Sequence, residues 1–384
     1  MQRYQSSKIE KLLNETRDKG TQAKISIITI TYNIIEAKRA KFFKQCINSI
    51  YSQSYQNIEH IIIDGGSNDG TVELLKKEAH KSKIISEPDN GIYDAFNKGL
   101  KYAQGQYIAF LNADDYYTSP KSIELSIDYL NLSDADFSYS KCYFTDDKGD
   151  VLNILDSKPE LFFARMPFCH QTMICKKEAI VKAGGFDTNY KLSADYDLII
   201  KLILNGATSV EIPHIIANFR HGGMSSLNAE LSRSECEDII KKHFAAEDDN
   251  DELVHNILYH ILIPKKLFEK LEKSNIDPYL KQSIKNYALQ NGLNLGKYVL
   301  IDDETLLQKS AKKIKLLFIP FFKVKVLENT KEYYIFNKAK FFEIETASNK
   351  TNYKLFNLPV FSTRNYGSEK AFYVFNVPIF KYYA

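Results

Sequence analysis

Gln106-Tyr107-Ile108-Ala109-Phe110-Leu111-Asn112-Ala113-Asp114-Asp115 decides how this chain is read. Tyr107 to Leu111 is a short apolar run, the pattern of a buried strand, and it leads into two adjacent carboxylates. Open α/β sheets bind ligands beyond the carboxyl ends of their strands, so Asp114 and Asp115 stand where a ligand would lie. Neighbouring carboxylates repel, and something positive is expected beside them. A divalent cation with oxygen ligands is the simplest choice. The plainer alternative is an acidic turn with no ion, because Asp is a common turn residue.

Upstream, the same pattern recurs. Ile25–Ile30, Ile58–Ile63 and Lys83–Ser86 read as strands, and 37–51, 72–80 and 92–102 as the helices between them. Alternating strands and helices over about 90 residues predict a parallel, doubly wound sheet. Right-handed crossovers then bring the strand-end loops to one edge. Tyr32, Asp64 and the pair Asp114-Asp115 should converge there. A nucleotide suits such an edge, yet no G-x-G-x-x-G follows the first strand and no G-x-x-x-x-G-K-[ST] occurs, which argues against a dinucleotide fold and a P-loop. Tyr32 offers a ring to stack on a base and Asp64 an acceptor for a ring N–H. Packing at a strand end and turn formation are the ordinary roles of these two.

Composition narrows the partners. The 51 Lys and Arg against 48 Asp and Glu leave +3, no footprint for nucleic acid. Five cysteines without a C-x-x-C point to a reduced, cytosolic chain rather than a disulfide or zinc scaffold. No run of 18 apolar residues predicts a membrane-spanning helix.

Four blocks in order carry a resemblance: Ile25–Asn33, Asp64–Thr71, Glu87-Pro88-Asp89-Asn90-Gly91-Ile92-Tyr93-Asp94-Ala95-Phe96-Asn97-Lys98-Gly99, and Leu111–Asp115. Together they resemble family 2 glycosyltransferases of the GT-A fold, over roughly residues 24–226. The resemblance implies a nucleoside diphosphate sugar donor, most often a UDP-sugar, and a Mn²⁺ or Mg²⁺ ion. It puts Thr31, Tyr32 and Asp64 at the nucleoside, and Asn112, Asp114 and Asp115 at the ribose, diphosphate and metal. Asp94, Asn97 and Lys98 share one helical face, a wall of the donor pocket by resemblance and an ordinary solvated face by spacing alone. Asn112 replaces the first Asp of the usual Asp-x-Asp, which leaves open whether Asp114 or Asp115 takes the ion.

Downstream, Phe137–Phe144 reads as a strand, Asp146-Asp147-Lys148-Gly149 as a hairpin turn, and Val151–Leu155 as its return. Gly184-Gly185-Phe186-Asp187 and then Ser193-Ala194-Asp195 resemble the turn and acidic pair that hold the family's base; Ala194 stands where Glu is usual. Asp195 is thus the implied general base, or else the N-cap of the helix that follows. Asp197 reads as a structural first-turn acid. His170 and Gln171 lie where an acceptor would enter, and a packed histidine is the ordinary alternative for His170. His221, in the loop Phe219–Ser225, is the candidate late ligand for the metal or diphosphate.

The chain divides into an arm (1–23), a GT-A domain (24–228), a helical segment (229–311) and a C-terminal module (312–384). In the module Pro320, Ala339, Pro359 and Pro378 recur at spacings of 19, 20 and 19, a repeat suited to hairpins with Pro at an edge or turn. It carries 13 Lys and Arg, 5 acids and 18 aromatics, which points to an anionic membrane surface or to simple packing. The whole reads as an inverting glycosyltransferase that extends a glycan or lipid-linked saccharide in cell-surface polysaccharide assembly. It would work in the cytoplasm, at the inner face of the membrane. A sugar nucleotidyltransferase and a non-catalytic sugar-nucleotide or glycan binder are the competing readings.

Overall fold

The computed structural model describes residues 23–224, 228–244, 254, 257, 263 and 265–291, and the backbone of seven strands between 322 and 383. The N-terminal arm lies almost wholly outside the described residues. By contacts the chain forms two units, Met1–Gln290 and Asn291–Ala384, so the helices after residue 229 belong with the first.

The first unit is built on β1 (Ile25–Thr31), whose burial follows from its run of Ile. β2 (Ile58–Asp64) pairs parallel along its whole length, from Ile25 opposite Ile58 to Thr31 opposite Asp64. β4 (Tyr107–Phe110) pairs parallel on the other side, and β3 (Lys83–Ser86) lies outside β2. The linking helices are α1 (Ala40–Tyr51), α2 (Thr71–Glu78) and α3 (Ile92–Tyr102). α1 buries Phe42, Phe43, Cys46, Ile47 and Ile50, a stripe at helical spacing. The parallel α/β sheet read from the sequence is therefore present. The main sheet is completed when β9 (Ile174–Lys176) adds antiparallel to β4, followed by β6 (Phe137–Tyr139) and β10 (Ser209–Glu211).

A second sheet joins at the carboxyl edge: β5 (Tyr116–Tyr117), β11 (Ala217–Arg220), β7 (Cys142–Thr145) and β8 (Val151–Leu155). The single strand expected over 137–144 is a correction, because it breaks at Ser140 into β6 and β7. There the Ser140 N–H donates to the Thr172 hydroxyl and its own hydroxyl to the Lys141 carbonyl. The chain thus leaves the main sheet for the smaller one with its polar groups satisfied. The turn after β7 is as read: Gly149, at φ 92°, donates to the Asp146 carbonyl. α4 (Ser122–Ser133), α5 (Lys177–Lys182), α6 (Ala194–Leu204), α7 (Ala229–Phe244), α8 (Lys265–Lys273) and α9 (Pro278–Asn291) complete the unit. No helix among the described residues is long and apolar enough to cross a membrane.

The second unit is an antiparallel meander of seven strands, β12 to β18, from Phe322–Leu327 to Val377–Tyr383. Its register shifts at Tyr333/Tyr334, Tyr353/Lys354 and Phe372/Tyr373, the same place in each repeat. Pro359 and Pro378 sit opposite Lys354 and Tyr373, beside those shifts, where a residue without an N–H costs the ladder least.

Two glycines let layers of the first unit meet. A Cβ at Gly99 would lie 2.4 Å from Ile28 Cγ2, so α3 rests directly on β1. A Cβ at Gly105 would lie 2.5 Å from the Ser26 nitrogen and 2.8 Å from the Ile25 carbonyl carbon, backbone that cannot turn away. Gly105→Ala is expected to cost about 1–3 kcal/mol by overpacking. Urea unfolding measures it, and a loss below about 0.5 kcal/mol would show that β1 yields.

Candidate active site

β4 delivers the acidic turn to the seam between the two sheets, and β5 follows it immediately. Asp115 is 1% exposed. Its Oδ1 accepts the Arg220 N–H at 2.9 Å, and its Oδ2 accepts Asn112 Nδ2 at 3.1 Å and Gln171 Nε2 at 2.8 Å. Burial and the charge of Asp114 push its pKa up to about 7, against the pull of the Arg220 and Gln171 hydrogen bonds. Asp114 faces the other way and pairs with Arg39 Nη1 at 2.6 Å. Burial raises its pKa as well, outweighing Arg39 and Arg220.

The positive charge expected between these acids is therefore supplied by arginines. Arg39 also donates to the Gly222 carbonyl, tying α1 to the loop after β11. Arg220, 1% exposed, donates to the carbonyls of Asp114 (3.0 Å) and Asp146 (2.6 Å) and to Gln45 Oε1 (2.6 Å). Its guanidinium lies 4.1 Å from the centre of the Phe42 ring. Among the described residues no three His, Cys, Asp or Glu side chains gather as an ion cage. Asp115 gives both oxygens to donors inside the protein, which makes it the poorer metal ligand of the pair. Asp114 fits once Arg39 releases it. His221 is exposed, with its ring edge-on to Phe144.

The nucleoside side is divided between structure and surface. Asp64 is fully buried and accepts hydrogen bonds from the hydroxyls of Thr31, Ser67 and Ser86 and from the Ser67 N–H. Asp64 and Thr31 thus brace the loop. Tyr32, 64% exposed, is the open surface at the end of β1. Beside it, a Cβ on Gly65 would lie 2.6 Å from Asp89 Oδ2 and 3.2 Å from Tyr32 Cδ2. Gly65 is thus buried under a ring and a carboxylate, where a side chain would not fit. Lys98 is held locally, donating to the Pro88 carbonyl at 2.6 Å and pairing with Glu87 and Asp94. Asp94 also caps the Asn90 N–H. Spacing alone had favoured such pairing for these two.

The third component lies at the start of α6. Asp195 is not the N-cap, a position held by Ser193. Its Oδ1 accepts the Tyr93 hydroxyl at 3.0 Å and the Tyr196 N–H at 2.9 Å, and its Oδ2 faces His170 Nδ1 at 2.8 Å. Burial opposes ionisation, but the His170 contact and these donors hold the carboxyl below its usual range. Gln171, read as an acceptor contact, is buried against Asp115 instead. A cavity of about 230 Å³, lined by Tyr93, Asp94, Tyr190, Leu192, Met224 and Leu231, opens beside this group.

Arg39, Asp89 and the role of Tyr93 were missed from sequence. The need for a cation was legible, but nothing in spacing connects Arg39 with Asp114, 75 residues on.

The chain is similar to known proteins. The model of glycosyl transferase family 2 matches residues 26–184. An uncharacterised glycosyltransferase of Methanocaldococcus jannaschii is 33% identical over 196 residues, 47% of this chain and 65% of the relative, so the chain spans just under two thirds of that protein. UDP-Glc:alpha-D-GlcNAc-diphosphoundecaprenol beta-1,3-glucosyltransferase WfaP of Escherichia coli is 30% identical over 211 residues, 53% of this chain and 80% of the relative. Among solved structures, S. aureus TarS 1-349 in complex with UDP-GlcNAc covers 83% of this chain and 98% of its own, at 14% identity and a TM-score of 0.49.

Asp197 supports the site from behind. It is fully buried and contacts His243 at 2.7 Å, Lys201 at 2.8 Å and Lys242 at 3.1 Å. Burial opposes its charge, yet His243 and the two ammonium groups hold its pKa well below the usual range. Asp197→Asn is expected to cost about 3–5 kcal/mol, the effect of breaking a buried ion cluster. Since the folded pKa is depressed, the wild type keeps this stability above pH about 4 and loses it as pH falls further. Urea melts against pH should show a shallower acid loss in the variant.

Proposed function

Because the chain belongs to glycosyl transferase family 2, we propose that it transfers a sugar from a nucleoside diphosphate sugar, a UDP-sugar foremost, to a glycan or lipid-linked saccharide, with inversion. The observation that carries this reading is the position of the acidic turn. It lies on one sheet edge with the exposed ring of Tyr32, and Gln171 ties it to the turn bearing His170, which meets Asp195 on α6. The E. coli relative named for UDP-Glc and a diphosphoundecaprenol-linked acceptor supports the donor and acceptor classes.

In this reading Tyr32 stacks on the base, as an exposed ring can. Asp114 turns from Arg39 to the diphosphate side. A Mn²⁺ or Mg²⁺ ion held by Asp114 and donor phosphate oxygens would stabilise the charge of the leaving group. Arg39, released, remains beside that charge, and His221 borders it on the loop that Arg39 had held. Asp195 and its partners form the proton-accepting side, where the acceptor hydroxyl attacks the anomeric carbon in one displacement. The cytoplasmic face of a membrane is the proposed setting, with the basic module at 312–384 resting on anionic lipid.

Release of UDP or GDP across a panel of nucleotide sugars, with a glycolipid extract as acceptor, tests the activity. Asp114→Asn should lower kcat by about 100-fold or more, the scale of losing a group that meets transition-state charge. It should also abolish stimulation by Mn²⁺. Turnover that ignores both EDTA and this substitution would remove the ion from the site. For the membrane contact, deletion of 311–384 should abolish sedimentation with phosphatidylglycerol vesicles, and unchanged binding would refute it.

A further inference from the structure

We propose that the proton leaving the acceptor hydroxyl is taken by Nε2 of His170, and that Asp195 holds this imidazole rather than meeting the acceptor itself. This rests on the transferase reading above and names the atom that the reading leaves open.

Asp195 already meets three groups. Tyr93 and Tyr196 share Oδ1, and His170 occupies Oδ2. A carboxylate with three donors is stabilised in its charged form and is a weak proton acceptor. The neighbouring ring is arranged the opposite way. Its Nδ1 faces a carboxylate that can only accept, so in the neutral imidazole Nδ1 carries the proton and Nε2 the lone pair. Nε2 is buried and has no hydrogen-bond partner among the described residues. Buried polar atoms are nearly always paired, so this open lone pair is available to a group that arrives.

The ring is also held in place. It stands edge-on to Phe96, which packs with Phe110 and Phe186. His170 opens a 3-10 turn whose next residue, Gln171, is bonded to Asp115. The lone pair is therefore one residue from the anchor that fixes the acidic turn. The ionisable groups facing the ring are Asp195 on α6, Tyr93 on α3 behind it, and Asp115 across Gln171.

The step balances. The acceptor oxygen forms the new bond to the anomeric carbon as the bond from that carbon to the diphosphate oxygen breaks. The bonding pair leaves with the nucleoside diphosphate, and the hydroxyl proton passes to Nε2. The imidazolium that results carries one positive charge against the Asp195 carboxylate.

His170→Ala and His170→Gln test this in the full chain. Gln keeps a donor toward Asp195 and so preserves the local fold, but it cannot accept a proton. Both should lower kcat by about 100-fold or more, the scale of a general base. The donor KM and UDP affinity by calorimetry should change less than about threefold, because no transition-state-independent contact is removed. Added imidazole should restore part of the rate to His170→Ala and none to Asp195→Asn. An active wild type whose His170 variants keep kcat within a few-fold, or raise only KM, overturns the assignment. So does a His170→Ala enzyme that imidazole fails to restore while its melting temperature matches wild type. A wild type inert with every donor would instead overturn the transferase reading.

Discussion

The site depends on one buried carboxylate. Asp115 is sealed from water, and it takes donors from three separate places: its own turn through Asn112, β11 through the Arg220 backbone, and the 3-10 turn through Gln171. Losing a donor to a buried charge costs far more than the bond returns when made, so these elements must arrive together. The requirement also accounts for Asn112. Its amide donates to Asp115, whereas a carboxylate at that position would add a third negative charge with no proton to give.

Two arginines complete the balance and give the site a resting arrangement. Arg220 is buried and serves Asp114 and Asp146 through their carbonyls, so it acts as a strut. Arg39 is partly exposed and pairs with the Asp114 carboxylate itself. It also holds the loop at Gly222. In the proposed reading an ion would compete with Arg39 for the Asp114 carboxylate, and the diphosphate would compete with Asp114 for Arg39.

The cluster at the start of α6 is organised on the same rule. Tyr93 comes from α3, His170 from the 3-10 turn and Asp195 from α6, and the carboxylate holds the other two by accepting from both. Behind them Asp197, two positions on, points to the opposite side of α6 and binds α7 through His243 and Lys242. One first turn thus carries two acids with different partners, separated by the direction in which the helix turns them.

Much of this was legible in the sequence. The apolar runs and their spacing determined the parallel sheet, the edge where the strand ends meet and the acidic turn upon it, because strand and helix periods are local properties of a chain. The repeat likewise determined the hairpins of the second unit. The tertiary structure alone decided which residues are braces and which are free. Asp64, Gln171 and Lys98 are spent on internal hydrogen bonds and ion pairs, while Tyr32 is exposed and His170 keeps an open nitrogen. It also decided that Arg39 answers Asp114 and that Ser140 breaks a strand. Each of these depends on groups tens of residues apart meeting in a buried, low-dielectric space, where a donor or a charge counts only once its partner is beside it.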